Sequence, residues 1–199
     1  MVNIILLNNI DSFTYNLVDQ LRSKKHQVLI YSNRLSDSVI INVINNIDNP
    51  ILVLSPGPGS PQNSGCMMSL IKKLRGHIPI IGICLGYQAL VQSYGGCISQ
   101  SSEIFHGRSS LIYHDEQAMF SNIPNPLLVA RYHSLIGINI PSNLKINAYY
   151  KNHIAMAIRN DLDRICGFQF HPESILTAYG TKLIHQTILW ANTLIRTRA

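Results

Sequence analysis

Short apolar runs and stretches of helical spacing alternate along the first half of the chain. Residues 4–7, 27–31, 51–54 and 78–81 are apolar runs of strand length. Behind the first run, Asp11-Ser12 is a pair suited to capping a helix, and Phe13, Leu17, Val18 and Leu21 then fall on one helical face. Ser36-Asp37 opens a second helix carrying Val39, Ile40, Val43, Ile44 and Ile47, although its β-branched residues weaken the intrinsic preference. A third helix is predicted near 67–74. A fourth leaves the run at 78–81 and extends to Tyr94, where Gly95-Gly96 stops it. This alternation predicts an α/β fold: a mostly parallel open sheet with helices on both faces.

The second half is richer in strands. They are predicted at 109–113, 127–131, 146–150, 155–158 and 165–170, several of them as antiparallel additions to the sheet. A closing helix over about 181–195 carries Leu183, Ile184, Ile188, Leu189 and Trp190. No internal repeat, low-complexity run or domain-sized linker interrupts the pattern, so residues 1–199 read as one domain with one large core.

Composition removes several function classes. The net charge of +6 could signal nucleic-acid binding, but the basic residues are scattered and no stacking aromatics lie among them. The terminal Arg196-Thr197-Arg198 reads instead as complementing the end of a helix. The four cysteines, Cys66, Cys84, Cys97 and Cys166, include no C-x-x-C pair, which argues against zinc and thioredoxin chemistry. Cys66, Cys97 and Cys166 read as small core or near-core residues. The opening Met1-Val2-Asn3-Ile4-Ile5-Leu6-Leu7-Asn8 lacks a basic n-region and reads as a buried strand. No apolar run reaches membrane-spanning length. A free reactive thiol suits a reducing compartment, so a cytoplasmic location is expected.

Candidate chemistry starts at Gly82-Ile83-Cys84-Leu85-Gly86, between the fourth apolar run and the fourth helix. A strand-to-helix turn of the form G-x-nucleophile-x-G presents its central residue at a helix N-terminus, where free N–H groups favour a thiolate. A structural buried cysteine is the plain alternative. A thiol nucleophile needs a base and a carboxylate to orient it. Gly167-Phe168-Gln169-Phe170-His171-Pro172-Glu173-Ser174 offers both, with His171 and Glu173 two apart in a segment read as extended. A third piece is Ser55-Pro56-Gly57-Pro58-Gly59-Ser60-Pro61, a loop whose exposed N–H groups could form an oxyanion hole with the N–H of Leu85. On composition alone it is an ordinary Pro/Gly turn.

On these motifs the chain resembles the class I (triad-type) glutamine amidotransferases, over essentially its whole length. The elbow through Gln88, the block 169–174 and the loop 55–59 are similar to that family's signatures. The opening Asn9-Ile10-Asp11-Ser12-Phe13-Thr14-Tyr15-Asn16-Leu17 and Arg131-Tyr132-His133-Ser134-Leu135 are similar to one subgroup, the glutaminases of anthranilate synthase and aminodeoxychorismate synthase. The likeness is closest to the anthranilate synthase subunits.

The resemblance implies a flavodoxin-like fold and hydrolysis of L-glutamine through a thioester on Cys84. His171 would be the acid–base group and Glu173 its orienting carboxylate, with an oxyanion site at Gly57 and Leu85. Gly57, Pro58, Gly59, Leu85, Gln88, Ser134 and Leu135 would bind glutamine. Taken alone, Gln88 reads as a solvent-facing helix residue and Ser134-Leu135 as strand end and turn.

The ammonia would pass to a large chorismate-binding synthase subunit, in a heterotetramer of two small and two large chains, serving tryptophan biosynthesis. No cofactor is implied for this subunit, while Mg²⁺ is expected in the partner. Asp11-Ser12-Phe13 and residues 103–108 are the candidate docking segments, the latter equally readable as an ordinary surface loop. One departure from relatives is Asn63, where an acidic residue is common. A partner making aminodeoxychorismate, a subunit shared by both synthases, a stand-alone γ-glutamyl hydrolase and a non-catalytic binding subunit stay open on sequence.

Overall fold

The structure, a computed structural model, describes residues 1–101, 107–151 and 153–196. Strands buried on both faces need helices on both sides, and the first half of the chain is built that way. β1 (Asn3–Asn8), β2 (Gln27–Ser32), β3 (Pro50–Leu54) and β4 (Ile80–Ile83) alternate with α1 (Thr14–Ser23), α2 (Asp37–Asn45) and α3 (Met67–Leu74). α4 (Leu85–Ser93) leaves β4 after a single intervening residue, Cys84. β5 (Cys97–Gln100), β6 (Arg108–His114), β7 (Leu127–Arg131), β8 (Leu135–Ile138), β9 (Lys145–Tyr150), β10 (Ile154–Asn160), β11 (Ile165–Phe168) and α5 (Gly180–Arg196) follow.

Nine strands form one sheet in the order β2-β1-β3-β4-β11-β10-β9-β6-β7. β2 to β11 in that order pair in parallel. From β11 outward every pairing is antiparallel. The strand that joins β4 at the centre is therefore β11, far away in sequence. Gly167 lies opposite Gly82 and Phe168 opposite Ile83.

Alternate residues of one strand point to opposite faces, and the two apolar cores follow that rule. Ile4 and Leu6 pack with Leu17 and Leu21 of α1 and with Leu183 and Ile188 of α5. Ile5 and Leu7 pack with Ile40 and Ile44 of α2, Leu70 of α3 and Leu90 of α4.

Several expectations are corrected. β4 runs through Gly82-Ile83 up to the elbow, because its end is held in register by β11. β11 ends at Phe168, and α2 at Asn45. Val39 of α2 and Leu189 of α5 are exposed, since the buried stripe of each helix is narrower than its apolar content. Asp11 does not cap α1 directly. Its carboxylate accepts the Phe13 N–H at 2.7 Å, and the helix starts at Thr14. β5 and β8, absent from the predicted elements, pair only with each other. Cys97 opens β5 and is exposed rather than in or near the core, while Cys66 is half-buried and Cys166 buried. Residues 103–106 of the second docking segment and Thr197-Arg198 of the tail lie outside the described residues. Among the described residues no helix is long and apolar enough to cross a membrane.

Candidate active site

The fourth strand and fourth helix meet at a turn that only small flanking residues permit. A Cβ on Gly82 would lie 2.5 Å from the Gly86 backbone, and one on Gly86 would lie 2.6 Å from the Leu54 carbonyl oxygen. Between them Cys84 adopts φ 51° and ψ −98°. For a non-glycine residue that conformation costs about 1–3 kcal/mol and persists only where its surroundings enforce it. Here the Cys84 N–H donates to Phe168 O at 2.8 Å, and the Gln88 N–H donates to Cys84 O at 3.0 Å. Sheet on one side and helix on the other thus hold the thiol at the C-terminal edge of the sheet.

His171 follows β11 at the same edge, just beyond Phe170, in a segment stitched to β7 by the His171 N–H bond to Ala130 O. The Thr177 hydroxyl donates to His171 O at 2.6 Å. The stretch from 171 to 174 is not extended as the sequence suggested. The Ser174 N–H reaches back to His171 O and closes a turn. That turn brings Glu173 beneath the imidazole, and His171 Nδ1 donates to Glu173 Oε1 at 2.6 Å. Both side chains are buried.

With Nδ1 engaged, Nε2 is the free ring position. It is buried and has no nitrogen or oxygen partner among the described residues. Burial works against a charged His171, but the Cys84 sulfur and then the Glu173 carboxylate outweigh it. The imidazole pKa stands well above its ordinary value. Gln169 Nε2 approaches the same sulfur at 4.0 Å. A sulfur, an imidazole and a carboxylate from two distant segments therefore share one buried site.

A pocket of about 160 Å³ opens over Cys84, lined by Gly57, Pro58, Gly59, Gln88, Tyr132, His133, Ser134 and Leu135. Six of the seven residues expected to bind glutamine line it. Leu85, the seventh, is buried behind the elbow and packs toward Gly57, where a Cβ would meet its Cδ2 at 2.7 Å. Gln88 is buried rather than solvent-facing, and its amide donates to Leu135 O at 3.2 Å. Ser134 and Leu135 belong to the step from β7 into β8.

Further residues shape the site without having been singled out as site residues. Asn9 is buried and braces the Pro/Gly loop: its N–H donates to Ser55 Oγ and its amide to Ser55 O, both at 2.9 Å. His133 Nδ1 donates to Leu135 O at 2.9 Å, and Arg131 Nε donates to His133 Nε2 at 3.2 Å. Burial first, then the Arg131 guanidinium, push the His133 pKa down to about 3, so this imidazole is neutral. Tyr132 and Phe13 pack on His171. All of these except Ser55 lay inside the two subgroup-like blocks, 9–17 and 131–135; the available signal was membership in those blocks, not any spacing. Asn63 is exposed in a short 3₁₀ turn, Pro61–Asn63, away from the pocket lining. Among the described residues no group of three or more His, Cys, Asp or Glu could hold a metal ion.

With the geometry in place, comparison with known proteins is informative. The model of the family "Glutamine amidotransferase class-I" matches residues 5–190. A protein of Buchnera aphidicola subsp. Schizaphis graminum (strain Sg) named anthranilate synthase component 2 is 59% identical, over 96% of this chain and 97% of its own. Proteins of the same name from Vibrio parahaemolyticus and Helicobacter pylori are 48% and 42% identical, with at least 94% of each chain covered. Among solved structures, a putative GMP synthase protein from Thermoplasma acidophilum superposes with TM-score 0.86 at 21% identity, covering 100% of this chain and 98% of that one. A glutamine amidotransferase from Thermotoga maritima gives 0.70 at 16% identity, over 98% and 90% of the two chains. At such identities these two structures speak to the fold alone.

Proposed function

The chain belongs to the class I glutamine amidotransferases, and from that premise we propose that it is the glutaminase subunit of an anthranilate synthase. Cys84 gives its thiol proton to His171 as its sulfur attacks the side-chain amide carbon of L-glutamine. The tetrahedral oxyanion is held by the backbone N–H groups of Gly57 and Leu85. The intermediate collapses to a γ-glutamyl thioester as His171 gives its proton to the departing ammonia. Water, deprotonated by the same imidazole, then releases glutamate and restores the thiol. Glu173 keeps His171 in the tautomer that leaves Nε2 toward the sulfur. Gly57, Pro58, Gly59, Leu85, Gln88, Ser134 and Leu135 bind glutamine.

The observation that carries this reading is the strained Cys84 elbow at the floor of a small pocket, with the buried His171–Glu173 pair beside its sulfur. The choice of synthase rests on the relatives named anthranilate synthase component 2, which align with the chain end to end. Ammonia released into water at neutral pH would be protonated and lose its nucleophilicity. The subunit therefore works docked on a large chorismate-binding subunit that carries the Mg²⁺, as two small and two large chains, in the cytoplasm. It functions as one domain and holds no cofactor of its own. A groove beside the site, of about 870 Å³, supports a docking role for this face: Ile175, 98% exposed, lines it together with Phe13, Leu176 and Tyr179.

The test is the complex co-purified from its host. Cys84→Ala is expected to abolish anthranilate formation from glutamine while sparing formation from ammonia. Retained glutamine use would refute a catalytic Cys84, and loss of both activities would assign it a structural role.

A further inference from the structure

One hydrogen bond fixes a point on an imidazole ring, not its plane. The bond from Nδ1 to Glu173 holds one atom of His171 at 2.6 Å and leaves the ring free to tilt about that axis. Two aromatic rings limit the tilt. The Phe13 ring centroid lies 5.4 Å from that of His171, with 62° between the planes. The Tyr132 centroid lies 5.0 Å away at 78°, and Phe13 and Tyr132 are 4.9 Å from each other. All three separations fall in the range of favourable edge-on or tilted ring pairs. The rings form a closed triangle with the imidazole at one corner.

Each aromatic is anchored independently of the pocket. Phe13 enters α1 with its N–H bound to Asp11 Oδ1. The Tyr132 hydroxyl lies 3.3 Å from Ser174 Oγ, at the far end of the turn that begins with His171. Gln20, further along α1, donates to Glu173 O at 3.0 Å. α1 and the residue that precedes it thus grip the turn, through Phe13 at His171 and through Gln20 at Glu173. The triangle also separates two concavities. Tyr132 lines both the pocket over Cys84 and the neighbouring groove, whereas Phe13 lines only the groove. Phe13 therefore reaches the imidazole from behind, away from the space a substrate would fill.

We propose that Phe13 and Tyr132 are positioning residues that bracket the His171 ring and aim Nε2 at the Cys84 sulfur, with Phe13 acting from outside the substrate pocket. The inference rests on the glutaminase reading above and deepens it. Its consequence is that geometry on the groove side of the molecule sets the rate of thiol chemistry on the pocket side.

Steady-state glutamine hydrolysis by the complex with its synthase partner tests the bracket. Phe13→Leu keeps apolar bulk but removes the ring. It is expected to lower kcat about 10- to 100-fold, the scale of a small misalignment of a reacting group. KM should stay within about threefold, since Phe13 does not line the pocket. Phe13→Tyr restores a ring and is expected to recover most of the loss. Tyr132→Leu against Tyr132→Phe repeats the contrast if the Phe13 variants do not assemble, and size-exclusion chromatography of the complex reports assembly throughout. A kcat unchanged in Phe13→Leu, or a change confined to KM, overturns the bracket. If Cys84→Ala itself kept hydrolysing glutamine, the glutaminase reading would fail instead, so the two failures are distinguishable.

Discussion

The two halves of the sheet solve the burial problem differently. In the parallel half, β3 and β4 are buried at every position and β1 at all but its ends. In the antiparallel half, β6 alternates: Leu111 and Tyr113 are exposed while Ser110, Ile112 and His114 are buried. β10, beside β11, is still buried at six of its seven positions, so this half opens one face to solvent only toward its outer strands. The division extends to the site. The parallel strands β3, β4 and β11 lead into the 55–59 loop, the Cys84 elbow and the segment that carries His171. The antiparallel half contributes the wall, from Arg131 at the end of β7 to Leu135 at the start of β8. Strand ends carry Cys84 and the segment with His171, and the step from β7 into β8 shapes the space around them.

If chemistry belongs to the parallel half, the largest effect should come from breaking its one acid–base pair. Glu173→Gln keeps the shape but removes the carboxylate from His171 Nδ1. Glutamine-dependent kcat is expected to fall about 10²- to 10⁴-fold, as for other orienting carboxylates, with ammonia-dependent synthesis unchanged in the same preparation. A loss below about tenfold would show that turn and rings alone suffice to orient the imidazole.

A second experiment compares the halves in stability. Leu52→Ala in β3 opens a cavity in a core closed on both faces and should cost about 2–5 kcal/mol by urea unfolding. Leu111→Ala in β6, at a position 51% exposed, should change stability by no more than about 0.5 kcal/mol. Equal costs would mean that the antiparallel face is covered in solution.

The last comparison concerns the wall and is confined to acid pH. His133 is neutral in the folded protein and protonates at about pH 3, whereas the unfolded chain takes up that proton near pH 6.5. The unfolded state therefore binds more protons in this window. His133 favours the fold fully above about pH 6.5 and progressively loses that contribution as pH falls toward 3, by up to about 1.4 kcal/mol per pH unit. His133→Asn should flatten the acid limb of the stability–pH curve over that range. A slope unchanged in the variant would place the acid sensitivity elsewhere.

The sequence was most legible where interactions are local. β7 and α3 fall where periodicity put them, because strand and helix periods are properties of neighbouring residues. The elbow was legible for the same reason: Gly82, Cys84 and Gly86 constrain one another within a single turn. Proximity of His171 and Glu173 was legible too, though its cause was misread as an extended segment when Ser174 closes a turn. β5 and β8 were missed because neither joins the main sheet, and only their mutual pairing makes them strands. Without the family resemblance Gln88 reads as solvent-facing, because nothing in its helix reveals that Leu135, 47 residues on, covers it.

By itself, then, the sequence determined the alternating α/β order, the tight turn at Cys84, the nearness of His171 to Glu173 and the Pro/Gly loop. Each follows from contacts a few residues apart. Only the tertiary structure decided that β11 inserts beside β4, that Phe168 thereby tethers Cys84, and that Phe13, Tyr132 and His171 close a triangle drawn from three separate segments. Those contacts depend on strand order, which is set by how whole faces bury one another rather than by any local spacing.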